Sequence, residues 1–455
     1  LIESIVICLI SYILALFIVN DLSYTPIANW VDADIRLSQY KGLILLTALI
    51  AILTGCLAGL YPAIRSTSYA PALVLKGSFG LSPKGKKVRV ALIGFQYTVS
   101  IALIIVTLFM GLQNHFMTSS EQLGFNKDQV AIVNLTPEIY AKHKPQYIQK
   151  LKDYPGIEDV AFSVYELSKE DDMIDLEYAR HEDKDVFFKV FYASENFLSV
   201  MDIQVEEGRD FTREDLNKAQ SDYIINPAAE RDFHLHPGDR FNDRTVLGVS
   251  KDFRFNSCRI ASSPFVFALN NDIPNPKLVS YIRFNSKTNL QEAVAHVRET
   301  LKEIDPTFPF EISFYNTILN NLYQKEQTLG KLISLFGIMA ILISIVGVFG
   351  LVLFETQYRR KEIGIRKING ATTGQILLMF NKTYIRIVSV CFIISIPIAW
   401  MGTQQWLENF AYKTPLHLWV FIVAFLIILS VTIGTVTFRN WQAANENPVN
   451  SVKSE

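Results

Sequence analysis

Apolar positions along this chain gather into six long blocks, and polar positions collect between them. Ser4–Val19, Leu43–Leu60, Val90–Leu112, Leu332–Phe354, Ile387–Thr403 and Leu418–Phe438 contain no Asp, Glu, Lys or Arg. Each approaches the roughly 20 residues that carry a helix across a bilayer, so the pattern predicts six membrane-spanning helices. Gly55 and Gly59 stand four apart in the second block, a spacing that lets helices pack closely. Between Gln113 and Gly330 the pattern changes to charges, prolines and short alternating runs. Strands are predicted at Val130–Leu135, Val160–Val164, Phe187–Tyr192, Tyr223–Asn226, Thr245–Val249, Phe265–Leu269 and Val279–Phe284. Helices are predicted at Lys144–Lys152, at Leu290–Ile304, and after Asn226, with Pro227 in the first helical position. Asn316–Phe354 lacks proline and reads as one helix rising into the fourth block, and Gln113–Gln122 extends the third block in the same way.

The placement of charge orients these elements. Tyr61–Arg89 holds Arg65, Lys76, Lys84, Lys86, Lys87 and Arg89 without one acid. The connection after the fourth block holds Arg359, Arg360, Lys361, Arg366 and Lys367. Basic loops stay in the cytoplasm. One span separates each of them from the α+β segment, which therefore falls outside. Asn20–Lys41, with Asp21, Asp32, Asp34 and Trp30, suits an outer interface. The expected fold is an α-helical transmembrane bundle with an inserted α+β extracytoplasmic domain of about 200 residues, large enough for its own core. Its parts are residues 1–77 with two spans, a cytoplasmic linker at 78–89, a span at 90–112, the outer domain with stalk helices at 113–330, and a membrane domain at 331–455.

Composition adds little to this. Half the residues are hydrophobic, and the net charge of −1 hides the asymmetry between loops. Nothing points to nucleic acid. Cys8, Cys56 and Cys391 lie in apolar blocks, which leaves Cys258 without a partner for a disulfide in the soluble part. Gly80–Lys87, GLSPKGKK, is a near miss to a phosphate-binding loop. It lacks Ser or Thr where Lys87 stands, and no strand precedes it. His234 and His236 offer two imidazoles without further ligands, too few for a metal site. No nucleophile, base and orienting group can be assembled in the outer domain. The chain is therefore expected to be no enzyme and to hold no cofactor, with any ATP and magnesium bound elsewhere.

Candidate chemistry concentrates in Phe354–Phe380. Phe354, Tyr358, Ile365 and Ile368 fall near one side of a helix, and Glu362 precedes Arg366 by one turn, the favourable order for an ion pair. Gly370 suits a helix end, and Thr372 or Thr373 suits the next cap. Two readings compete: a basic segment resting on anionic lipid headgroups, and a docking helix for a cytoplasmic partner. KEIGIRKINGAT resembles the segment of FtsX-like and MacB-like ABC transporter permeases that enters the cytoplasm between spans. That resemblance implies a coupling helix within 355–384 that seats in a cytoplasmic ABC ATPase subunit. The matching positions are Lys361, Glu362, Ile363, Gly364, Ile365, Arg366, Lys367, Gly370 and Ala371, with Arg359 and Arg360 added by their charge.

EGRDF at Glu207–Phe211, YIINPAAERDF at Tyr223–Phe233 and LGVSKDFRF at Leu247–Phe255 resemble the periplasmic core domain of MacB-type permeases. Each is also an ordinary turn or cap in an α+β domain, and a folding role outweighs a ligand-binding one. Pro71 and Lys76 match Pro448 and Lys453 at a constant shift of 377 positions, which lays the first two spans over the last two. Residues 1–77 thus read as the end of a first FtsX-like repeat, and the chain as a piece lacking most of that repeat.

The family resemblance implies a permease in the bacterial inner membrane with its large domain in the periplasm. The partners it implies are an ATPase subunit dimer, a periplasmic adaptor or substrate protein, and membrane lipid. Export, lipoprotein release and cell-envelope regulation stay open. The alternative is an ATP-independent membrane sensor or scaffold with an outer binding domain.

Overall fold

The computed structural model describes residues 1–22, 40–67, 83–119, 123–167, 175–218, 220–254, 257–269 and 278–445. In chain order, α1 (Ile2–Leu22), α2 (Lys41–Thr67) and α3 (Pro83–Thr118) come first. The mixed region follows: β1 (Val130–Leu135), α4 (Lys144–Lys152), β2 (Ile157–Ser163), β3 (Asp175–His181), β4 (Lys184–Ala193), α5 (Phe197–Met201), β5 (Val205–Gly208), β6 (Tyr223–Ile225) and α6 (Pro227–Phe233). It continues with β7 (Arg240–Phe241), β8 (Arg244–Ser250), β9 (Phe265–Leu269), β10 (Leu278–Phe284), α7 (Leu290–Ile304), β11 (Ile312–Phe314) and α8 (Tyr315–Leu322). The chain closes with α9 (Gln324–Tyr358), α10 (Arg360–Ile368), α11 (Thr373–Leu407) and α12 (Leu418–Asn445). Six of these helices, α1, α2, α3, α9, α11 and α12, are long and apolar enough to cross a membrane.

Two compact units emerge. The first comprises residues 1–109, 327–403 and 417–455, and the second comprises 110–326 with 404–416. This division differs from the one expected. The connection between the last two spans belongs with the outer domain, and residues 83–89, expected in a linker, already form the first turns of α3.

In the first unit, α1 and α2 pack through the two glycines. A Cβ on Gly55 would stand 2.9 Å from the Cα of Ile5, and one on Gly59 would stand 2.8 Å from Ser4 Oγ. Tyr12 donates to the Ile44 carbonyl at 2.6 Å. Moved by 377 positions, Lys41–Thr67 falls on residues 418–444, against α12 at Leu418–Asn445. The other four spans meet around α3. Ser100 reaches Ser344 of α9 at 3.0 Å, Tyr97 accepts from Thr432 of α12 at 2.9 Å, and a Cβ on Gly94 would touch Cys391 of α11 at 3.5 Å. Small residues and hydroxyl pairs hold helices together where burying apolar surface gains nothing over lipid.

The second unit is built on one mixed sheet, ordered β11-β1-β10-β2-β4-β9-β6-β8-β5, with β3 paired to β4 and β7 to β8. Its halves join at β2 and β4 through a single pair, Ser163 with Ala193. Both faces are covered, so the strands read as continuous apolar runs. In β1, Val130 and Ile132 enter one core, while Ala131, Val133 and Leu135 enter another that α4 and α7 cover. Two of the family-like phrases lie opposite each other, because Gly208 of β5 pairs with Gly248 of β8. Gly208 has φ +78°, and a Cβ there would sit 2.2 Å from the Leu247 carbonyl. The third phrase supplies the cap of α6. Asn226 accepts from the amides of Ala229 (2.9 Å) and Phe265 (3.0 Å), and it donates to the Ser263 carbonyl at 3.0 Å and to Ser262 Oγ at 3.2 Å.

One expectation is overturned. The single helix from Asn316 to Phe354 is two helices, α8 and α9, parted at Tyr323, which leaves helical geometry at φ −107° and ψ 15°. The Tyr323 hydroxyl is held by the Cys258 amide at 3.1 Å and lies 3.3 Å from its thiol, so burial of this ring fixes the break.

Asp215, only 2 % exposed, receives Arg209 in a fork at 2.7 and 2.9 Å, and it also receives Lys218 and the amide and hydroxyl of Thr212. Arg209 above all holds its carboxyl well below the usual carboxylate range. A depressed carboxyl stabilises the fold above its unfolded pKa of about 4 and loses that stabilisation as the pH falls. Asp215→Ala is expected to destabilise the second unit by about 1–2 kcal/mol, because it removes the buried acceptor of the Thr212 amide and hydroxyl and of two half-exposed cations. Hydrogen exchange of β5 and β6 at pH 7 measures the loss, and the gap between variant and wild type narrows below about pH 4.

Candidate functional site

The basic corner is built by three interruptions of helix. Arg359 ends α9 and begins α10 with φ −93° and ψ 9°, and its amide still donates to Glu355 while its carbonyl accepts from Ile363. At the other end, Ala371 N–H reaches the Arg366 carbonyl (2.9 Å) and Gly370 N–H reaches that of Lys367 (3.0 Å). With Gly370 at φ +87°, this is the left-handed C-terminal closure that glycine favours. Thr372 and Gln375 then cap α11 reciprocally, at 3.1 and 3.3 Å. The expected coupling segment of 355–384 is therefore narrower as a helix. α10 occupies Arg360–Ile368 alone, while residues 355–358 belong to α9 and 373–384 to α11.

Charges tie α10 to its neighbours. Glu355 meets Arg359 at 3.2 Å, Arg359 approaches Glu362 at 3.9 Å, and Glu362 pairs with Arg366 at 2.8 Å. The guanidinium of Arg359 lies 5.8 Å from the Phe380 ring centre. The Tyr384 hydroxyl of α11 donates to Glu355 at 3.3 Å, and Thr356 donates to Asn440 of α12 at 2.7 Å. Opposite-charge pairs three and four residues apart are individually weak on an exposed helix. Linked in series and anchored on a half-buried Glu355, they fix how α10 leaves α9.

Of the residues singled out by sequence, Arg359, Glu362 and Arg366 come together in this chain of pairs, and Ile363 and Gly364 lie on the buried side of α10. Ile365 is 55 % and Ile368 65 % exposed, and Arg360 and Gly370 are also exposed, with Lys367 and Ala371 half-buried. The Lys361 side chain lies outside the described residues. Phe354 and Tyr358 share this exposure but belong to α9, so the apolar stripe expected on one helix is divided between two. Glu355, Thr356, Tyr384 and Asn440 escaped the sequence reading. The signal was there for Glu355, the first charge after an uncharged run.

His234 and His236 are not brought together as ligands. His234 closes α6 in the left-handed region, while His236 lies with Glu207 and Glu230, their ligand atoms within 4.8 Å of one another. Glu207 and His236 are exposed there, an ordinary arrangement for surface ion pairs.

The FtsX-like permease C-terminal family model matches residues 334–448. Residues 334–448 are thus similar to an FtsX-like permease domain. This FtsX-like segment includes all of α10, α11 and the connection to α12. The chain is 25 % identical over 212 residues to the macrolide export ATP-binding/permease protein MacB of Aggregatibacter actinomycetemcomitans, covering 44 % of this chain and 32 % of that protein. It is also 25 % identical over 223 residues to MacB of Neisseria gonorrhoeae, covering 46 % and 34 %. The chain thus spans about a third of the length of these relatives. Among solved structures, the periplasmic region of MacB from Actinobacillus actinomycetemcomitans is 15 % identical, with a TM-score of 0.33 over 44 % of this chain and 94 % of that one. The extracellular domain of the noncanonic ABC-type transporter YknZ from Gram-positive bacteria is 15 % identical, with a TM-score of 0.31 over 40 % and 99 %.

A Cβ on Gly370 would meet nothing within 4 Å, so Gly370→Ala tests the backbone alone. The left-handed conformation is expected to cost about 1 kcal/mol. The Ala371 amide should then exchange about fivefold faster, with the spans unaffected.

Proposed function

We propose that this chain is the membrane-embedded permease part of an ABC transporter in the bacterial inner membrane, driven by mechanical coupling. The observation that carries this reading is α10, a nine-residue helix isolated by the break at Arg359 and the closure at Gly370. Its two exposed isoleucines stand in an otherwise charged corner. Full burial of such a side chain is worth about 1.5–3 kcal/mol, so Ile365 and Ile368 together supply the apolar centre of a docking surface, with Arg360, Arg366 and Lys367 around it. The occupant is a cytoplasmic ABC ATPase, supplied as a dimer of separate subunits. ATP and magnesium bind there.

The basic loops keep α10 in the cytoplasm, and parity of crossings puts the α+β unit on the periplasmic side. Closure of the ATPase dimer shifts α10, and the pairs from Glu362 through Arg359 to Glu355 pass the shift to α9 and α11. The outer unit then acts on a substrate or adaptor protein without the substrate threading the spans. Among the described residues no row of charges lines the bundle, unlike a path for ions. Its work lies in export, lipoprotein release or cell-envelope regulation.

Ile365→Asp with Ile368→Asp is expected to lower ATPase recruitment at least tenfold in pull-downs while the helical content stays unchanged. Glu362→Arg with Arg366→Glu should reduce ATP-dependent output. Recruitment and output at wild-type level in that reversed pair would remove α10 as the coupling element. Membrane-impermeant labelling of single cysteines should mark residues in 184–250 from outside intact spheroplasts and residues in 365–371 only after lysis. Equal labelling of both sets before lysis would overturn the topology.

A further inference from the structure

The connection between α11 and α12 is short, yet its middle residue is held on every side. Tyr412 N–H donates to the Cys258 carbonyl at 3.0 Å, and its own carbonyl accepts from Gln113 Nε2 at 3.0 Å. Its hydroxyl accepts from the Ser262 amide at 3.1 Å, and the guanidinium of Arg254 stacks 4.3 Å from its ring centre. Gln113, fully buried, closes the other side by accepting from the Thr414 amide at 2.8 Å. Two residues earlier, Phe410 is 3 % exposed in a cluster with Met117, Cys258 and Tyr323. Arg259 covers that ring and reaches Glu326 at 2.5 Å. Residues 404–416 are thus fastened to the last turns of α3, to the start of α9, and to the segment that leads into β9.

We propose that this fastening is a third force-carrying attachment of the outer unit, with Tyr412 and Arg254 as its positioning residues. It rests on the coupling reading given above. The two helical routes are unequal, because the one through α9 is broken at Tyr323 before it reaches β11. α11 is continuous as a helix, with Pro397 inside it. It runs from Thr373, just past the coupling corner, to Leu407, about 50 Å at 1.5 Å per residue. A displacement of the corner along this axis reaches the 404–416 connection through one helix and enters the sheet through Ser262. Asn226 binds Ser262, Ser263 and Phe265 at once, so the 262–265 segment cannot move without β6, α6 and β9. Arg254 is suited to this role because Nη1 is buried without a hydrogen bond among the described residues, and the rings of Tyr412 and Phe116 hold its charge instead. Loss of the Tyr412 ring removes one of the two aromatic faces against which this half-buried guanidinium packs.

The test uses the full chain in lipid nanodiscs with the ATPase subunit that copurifies with it, and native Cys258 reports on the fastening. Tyr412→Ala should raise modification of Cys258 by a membrane-impermeant maleimide about tenfold. It should also shrink the ATP/vanadate-induced change in deuterium uptake of 262–269 at least about fivefold, with ATPase recruitment and hydrolysis within about twofold of wild type. Arg254→Met should behave alike. Tyr412→Phe keeps the ring and the backbone bonds and should retain most of the response. A Tyr412→Ala chain that exposes Cys258 but responds to nucleotide like wild type overturns the proposal, as does one in which Cys258 stays protected. A wild-type chain with no nucleotide response overturns the coupling reading itself, and that result appears before any substitution is made.

Discussion

A backbone that crosses lipid must satisfy its own hydrogen bonds, and everything else in this chain is arranged around that demand. Each uncharged run can cross only as a helix. Irregular backbone is then confined to the ends of the spans, where water or protein can satisfy it. The corner at Arg359–Thr372 shows how tightly such an end can be made. Every turn of direction there is closed by a named bond: the Arg359 carbonyl to Ile363, the Gly370 closure, and the Thr372–Gln375 caps. The result is a short helix whose angle to its neighbours is set by hydrogen bonds and ion pairs.

The same economy appears in the outer unit. Its strands are apolar on both faces because two sets of helices and loops cover them, and the polar residues that are buried are bonded in groups. Asp215 draws together Arg209, Thr212 and Lys218, and Asn226 joins a helix start to two strands. Buried polar groups with several partners specify one arrangement where apolar packing alone would tolerate several.

Much of this was legible in the order of residues. β1, α4, β9 and α7 begin and end where the pattern puts them, since two-sided burial gives unbroken apolar runs and amphipathic helices give a clear period. β3 was not legible. In Leu176–Ala179 the large apolar side chains, Leu176 and Tyr178, face solvent, while Glu177 turns inward to accept from Tyr192 at 2.6 Å, so the alternation points the wrong way. The break at Tyr323 was hidden for a related reason. Nothing in NNLYQKE marks a helix end, and the ring's anchor, Cys258, lies 65 residues away. At the basic corner the charged residues and Gly370 were readable. The anchors Tyr384 and Asn440 were not, because a polar residue at the end of an apolar run gives no hint of which helix it will meet.

The position of α3 carries a consequence for how the molecule is made. Its contacts at Ser100 and Tyr97 reach 244 and 335 residues ahead. During synthesis this helix enters the bilayer well before its partners exist, with Tyr97 and Ser100 still facing lipid. The entire outer unit must be exported and emptied from the ribosome before α9, α11 and α12 can close around it. Assembly of the bundle is thus a late event, and a chain stalled between these stages leaves the hydroxyls of Tyr97 and Ser100 without their partners from α9 and α12.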